Sequence, residues 1–97
     1  MRYGYVYILC SQKNGTLYTG MTTDLYARLQ EHKNHHDPNN FTAKHDVTRL
    51  VWFERYDLIV DAIAREKAIK KWKRAWKIEL IEKDNPDWKE IILDYDD

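Results

Sequence analysis

The 97-residue chain holds a single cysteine, Cys10, so it can form no intramolecular disulfide and has no cysteine cluster to hold zinc. That fits a reducing, cytoplasmic compartment. No apolar run approaches the length needed to span a membrane, and Met1-Arg2-Tyr3-Gly4 lacks the basic-then-apolar form of a signal peptide. There is no internal repeat, low-complexity tract or linker. Net charge is also missing: the formal value is +0, which at first sight argues against a polyanionic partner. What the chain does have is aromatics, with four Trp and seven Tyr in a composition that is 43% hydrophobic. Such a chain is not disordered, and it is long enough for one modest core.

The zero net charge hides an asymmetry. Residues 1–78 carry fourteen Lys or Arg against eight Asp or Glu, and residues 79–97 carry two against eight, so a body of +6 is followed by an end of −6. A polyanion meets the field of the body rather than the sum. One domain over residues 1–88 with an acidic tail over 89–97 is the expectation.

Tyr3–Cys10 reads as a strand, Asn14-Gly15 as a two-residue hairpin turn, and Thr16–Met21 as the return strand. Thr22 or Thr23 can cap a helix over Asp24–Lys33. Asn34–Asn40 is a polar loop, and Thr48–Tyr56 reads as a third strand. Asp57 or Asp61 can cap a long helix ending near Trp72. A further helix runs to about Lys83, where Asn85-Pro86 stops it. The order ββαβαα predicts an α+β fold, a small three-stranded sheet with an antiparallel hairpin flanked by helices.

A two-residue turn at Asn14-Gly15 pairs positions that add to 29, so Leu9 faces Gly20. Tyr7, Leu9, Tyr18 and Gly20 then line one face, with a gap at the glycine. On the first helix, Leu25, Arg28, Leu29 and His32 form one stripe. A guanidinium at the edge of such a stripe either snorkels or holds an anion. On the long helix, Glu66 interrupts an apolar stripe of Ile59, Ala62, Ile63, Ile69 and Trp72. A carboxylate there is costly unless paired, with Lys70 one turn on, or bound to a cation. Mg²⁺ often takes one protein carboxylate and completes its shell with water and phosphate oxygens. Residues 64–77 hold seven basic residues and one acid around Trp72 and Trp76. Both Trp are read as core, and Lys70, Lys73 and Arg74 as phosphate contacts. His35 and His36 beside His32 suggest zinc, but nothing completes a tetrahedron. Cys10 alternates away from Tyr7 and reads as a core thiol.

At these residues the chain resembles the GIY-YIG nuclease superfamily, and within it small single-domain bacterial proteins related to the amino-terminal nuclease domain of the DNA-repair excinuclease. Tyr5-Val6-Tyr7 stands at the G-I-Y motif and Tyr18-Thr19-Gly20 at Y-I-G. L-Y-T-G-M-T-T-D-L-Y-A-R-L-Q-E-H, residues 17–32, is the most specific stretch, and R-E-K-A-I-K-K-W, residues 65–72, matches the region of the family's metal-binding Glu. The resemblance covers residues 3–88. It implies divalent-metal-dependent hydrolysis of a nucleic-acid backbone. By position, Glu66 binds Mg²⁺ or Mn²⁺, Arg28 the scissile phosphate, and Tyr7, Tyr18 and His32 handle protons and orientation. Tyr7 is favoured as the base, with Arg28 and the metal promoting its phenolate and His32 as relay. Lys44 is a further phosphate contact. Three positions depart from the pattern: Tyr5 replaces the motif's first Gly, Met21 stands where many relatives have Lys, and Ile78 where they often have Asn. Asn85 is a candidate substitute for that Asn.

Three functions follow. The first is a DNA nuclease of low sequence specificity, with RNA as an alternative substrate. The second is a nucleic-acid-binding module of the same fold with weak or no catalysis, acting beside a protein partner. The third is a protein-interaction domain using the basic helix. Oligomeric state is open.

Overall fold

A computed structural model describes residues 2–34 and 41–93, apart from the side chains of Ala43 and Lys44. The element order is β1 (Gly4–Cys10), β2 (Leu17–Thr22), α1 (Leu25–Lys33), α2 (Phe41–Lys44), β3 (Arg49–Tyr56), α3 (Ile59–Lys70) and α4 (Arg74–Asp84). The long elements follow the expected ββαβαα, and α2 is a single added turn. The sheet order is β2-β1-β3, and both pairings are antiparallel. Among the described residues no helix is long and apolar enough to cross a membrane.

The hairpin corrects the expected register by two residues. Leu9 pairs with Tyr18 and Tyr7 with Gly20, so partners add to 27 rather than 29. The cause is the loop. Ser11 N donates to Thr16 O at 3.1 Å, and Gly15 N donates back to Gln12 O at 2.8 Å. The connection is therefore four residues, Gln12 to Gly15. Only Asn14 takes a positive φ, 61°, where the two-residue turn required it of Gly15 as well. Ser11 Oγ also accepts from Thr16 N at 3.1 Å, which favours the longer loop. A slip of two residues preserves side-chain parity, so the faces predicted for Tyr7, Leu9, Tyr18 and Gly20 survive it.

Central strand β1 divides the interior. Val6, Ile8 and Cys10 point to one side, where they pack with Val51, Trp52, Ala62, Ile69, Ile81 and Trp88. Tyr7 and Leu9 point to the other, with Leu25, Leu29, Val47 and Leu50. The β1–β3 ladder shifts register between Ile8 and Leu9, which leaves Val51 as the extra residue of a bulge and lets Val51 and Trp52 join the same cluster. Helices α3 and α4 thus cover one face and α1 the other.

The helix caps also differ from expectation. Asp24, not a threonine, caps α1 by accepting from Ala27 N at 3.1 Å, while Thr22 Oγ1 accepts from Asp24 N at 3.1 Å. Helix α3 starts after Leu58 with no side-chain cap. Ile59 N instead donates to Arg2 O at 2.9 Å, and Asp57 is held by Arg55 at 2.6 Å. Helix α3 ends at Lys70, two residues before the expected Trp72.

Beyond α4 the chain turns back on the sheet. Trp88 has φ 57° and is fully buried, and its Nε1 donates to Glu82 at 2.7 Å. Arg49 Nε donates to Trp88 O at 3.2 Å, and Ile91 N donates to Leu50 O at 2.8 Å. Trp72 packs against the core as expected, but Trp76 is 51% exposed. Its place on the outer side of α4 corrects the reading of both indoles as core.

Candidate active site

Tyr7 sits mid-strand on β1, fully buried on the α1 face. Its ring is accommodated by the glycine opposite: a Cβ on Gly20 would lie 2.5 Å from Tyr7 Oη and 2.6 Å from Cζ. The gap expected beside Leu9 is in fact filled by this phenol. Tyr18, half-buried on β2, lies with its ring centroid 6.3 Å from that of Tyr7. From the last turn of α1, buried His32 approaches both, with its ring 6.0 Å from Tyr7 and 5.5 Å from Tyr18.

Hydrogen bonds thread these groups together. Tyr7 Oη lies 3.1 Å from His32 Nε2, and His32 Nδ1 lies 2.9 Å from Thr42 Oγ1. Burial pushes the His32 pKa below its ordinary value, and the nearby Arg28 charge adds to this against Glu31. The imidazole is therefore neutral at pH 7, one nitrogen donating and the other accepting. Thr42, 2% exposed, was not anticipated as part of the site. Its only signal in the sequence was its place in a polar stretch, and α2 is too short to show periodicity.

Burial is also the largest influence on Tyr7 and raises its pKa above the ordinary phenol value. Tyr18 adds to the rise, Arg28 opposes it, and Glu66 adds to it. Arg28 thus acts in the direction expected of it, toward phenolate, but desolvation outweighs the guanidinium, and without a cation Tyr7 is held as a neutral phenol. The same influences put Arg28 and the Glu66 carboxylate within electrostatic reach of the Tyr7 hydroxyl. Arg28 pairs with Glu31 at 3.1 Å, its side chain 41% exposed. The side chain of Glu66 is 18% exposed and meets Lys70 at 3.0 Å.

The remaining predicted contacts are dispersed. Lys70 is paired with Glu66. Lys73 Nζ lies 5.8 Å from the Trp76 ring centre. Arg74 donates to Asn14 O and Gly15 O and so ties α4 to the hairpin loop. The side chain of Lys44, and both His35 and His36, lie outside the described residues. Asn85 is spent on structure: its amide donates to Val51 O and Lys89 O and accepts from Lys89 N. Met21 and Ile78, at two of the three departures from the family pattern, pack against the α3–α4 core.

No group of three or more His, Cys, Asp or Glu among the described residues could hold a metal. One mostly buried carboxylate, Glu66, faces the tyrosine cluster electrostatically, and its Lys70 partner is a flexible, half-exposed side chain. That donor set fits a hard cation that completes its shell with water and substrate oxygens, and it does not fit one needing an all-protein cage.

Known proteins resemble this chain in sequence and in fold. The model of the GIY-YIG catalytic domain matches residues 3–79. A UPF0213 protein of Syntrophus aciditrophicus is 43% identical over 88 residues, covering 90% of this chain and 98% of that one. One of Haloquadratum walsbyi is 41% identical over 81 residues, covering 82% and 88%. The solution NMR structure of a UPF0213 protein from Bacillus halodurans superimposes with a TM-score of 0.57 at 28% identity, covering 91% of this chain and 92% of that one.

Proposed function

The chain belongs to the GIY-YIG catalytic-domain family, and from that premise we propose that it hydrolyses phosphodiester bonds in DNA, with Mg²⁺ or Mn²⁺ and with little sequence specificity. The observation that carries this reading is the hydrogen-bonded line Tyr7–His32–Thr42 beneath Tyr18, with Arg28 and Glu66 acting on the same hydroxyl. A binding surface alone has no need of a buried phenol–imidazole pair.

Hydrolysis requires a water to lose a proton as it attacks phosphorus in line, while charge grows on the phosphoryl oxygens and the leaving oxygen. Arg28 is exposed enough to exchange Glu31 for the non-bridging oxygens, a stronger and bidentate partner. Tyr18, more open to solvent than Tyr7, faces and orients the phosphate. Tyr7 and His32 serve as the proton path: the phenol takes a proton from water as it passes its own to His32 Nε2, and Thr42 holds the ring in register. Glu66 would hold the divalent cation, which supplies Lewis acidity to the phosphoryl and leaving oxygens. A domain this small offers little surface for base readout, which supports low sequence specificity.

The test is incubation of pure protein with labelled single-stranded, duplex and branched DNA, and RNA, in Mg²⁺, Mn²⁺ or EDTA. Cleavage is expected with metal and not with EDTA. One observation favours a second reading, a binding module with weak or no catalysis: Arg28 and Glu66 are each already neutralised by a neighbour on their own helix. DNA binding without cleavage under any metal would select it.

A further inference from the structure

Phe41 is 47% exposed and sits on α2, directly before Thr42. Its ring stacks on Tyr18 with centroids 6.4 Å apart and planes 27° apart, and His45 flanks it at 4.5 Å. The aromatic groups therefore run inward from solvent in the order Phe41, Tyr18, His32, Tyr7. The turn that presents Phe41 is anchored. His45 N donates to Phe41 O at 3.1 Å, Val47 N donates to Thr42 O at 2.8 Å, and Thr42 and Val47 are buried. A flat apolar ring is thus held half in solvent, on fixed backbone, beside the groups assigned to the scissile phosphate.

We propose that Phe41 is a stacking platform for an unpaired nucleobase next to the scissile phosphate, so that the substrate is single-stranded or locally unpaired DNA. The inference deepens the nuclease reading and rests on it for the position of the phosphate. In continuous duplex the faces of the bases are covered by their neighbours and only edges reach the grooves, so a ring at the rim of the site has nothing to stack on. A nick, flap or single strand frees a face, and every base has one, so the platform is indifferent to sequence.

The experiment measures binding in EDTA, where no cleavage is required. Anisotropy is read for a fluorescent deoxyadenosine strand, for a strand of the same backbone with abasic sites, and for a continuous duplex, using the parent, Phe41→Ala, Phe41→Leu and Phe41→Trp. The parent should prefer the base-bearing strand over the abasic one by about 5- to 150-fold, the range that truncation of a stacking ring gives. Phe41→Ala and Phe41→Leu should erase that preference, Phe41→Trp should keep it, and none should change binding to duplex. Phe41→Leu still covers Tyr18 with apolar bulk, so it carries the test if the alanine variant does not fold. A parent indifferent to the abasic change, or a leucine variant that retains the parental preference, overturns the proposal. A parent that stacks bases but never cleaves leaves the platform standing and removes only the hydrolysis.

Discussion

The two faces of β1 obey different rules. Even residues Val6, Ile8 and Cys10 meet an apolar cluster closed by α3, α4 and Trp88. Odd residue Tyr7 meets His32 and, through it, Thr42, in a pocket whose polar atoms are satisfied by one another. Both faces are buried, so burial alone does not distinguish a core from a site. What distinguishes them is the cost of that burial. On the α3–α4 side it removes apolar surface from water, which stabilises. On the α1 side it desolvates a hydrogen-bonded phenol and imidazole, raising one pKa and lowering the other, whereas on the α3–α4 side it raises the pKa of the lone Cys10 thiol. Substitutions on the first side should therefore register as stability and those on the second as chemistry.

The largest expected effect on stability comes from Trp88→Ala. The side chain is fully buried and closes the α3–α4 face, so its loss should cost about 3–5 kcal/mol, seen as a large fall in melting temperature. A variant that melts with the parent would remove Trp88 from the core and break the comparison.

The largest expected effect on chemistry comes from Glu66→Gln, which keeps shape and removes charge. Metal-dependent cleavage should vanish, and stability should hold or rise slightly, since a mostly buried carboxylate no longer needs Lys70. Cleavage at the parental rate would move the metal elsewhere.

Gly20→Ala tests the site through the backbone. A Cβ 2.5 Å from Tyr7 Oη must displace the phenol, so the variant should lose the Tyr7–His32 hydrogen bond and about 1–3 kcal/mol. Tyr7→Phe sharpens the same point: it removes one oxygen and should cut the cleavage rate while DNA affinity stays near parental. If Gly20→Ala costs neither rate nor stability, the tyrosine is not held as described.

These contrasts also explain what could be read from sequence. The faces of the hairpin were readable because side-chain parity survives a slip of two residues; the register was not, because the loop is closed by Ser11 and a single left-handed Asn14. The stripe Leu25, Leu29 and His32 was readable from helical spacing, and all three are buried. The Glu66–Lys70 pair was readable for the same reason. Thr42 and Phe41 were not, since the one-turn helix that presents them has no period. Trp88 was not, because an irregular segment with a left-handed backbone carries no pattern of its own. Arg74 was grouped with the phosphate contacts by charge alone; its use on the hairpin carbonyls depends on a contact with residues far away in the chain.

The smallest effect is the dependence of stability on pH, and its sign follows from the two shifts. His32 has a folded pKa below its ordinary 6.5, so in the window beneath 6.5 the unfolded chain binds more protons than the folded one. Its contribution is therefore fully present above 6.5 and is lost as pH falls through the folded value. Tyr7 has a folded pKa raised above the ordinary 10.0, so its contribution is present below 10.0 and is lost as pH rises from there towards the folded value. The α1 face should thus weaken at both ends of the scale. Carboxylates titrate in acid as well, which makes the difference between parent and His32→Gln the informative quantity. The variant should be the less stable at pH 8, and the gap should narrow as pH falls below 6.5, because the glutamine carries no protonation penalty. Chemical denaturation at a series of pH values reads this directly. A gap that stays constant from pH 8 to pH 5 would mean that His32 titrates alike in both states, and that burial on the α1 face leaves its imidazole unperturbed.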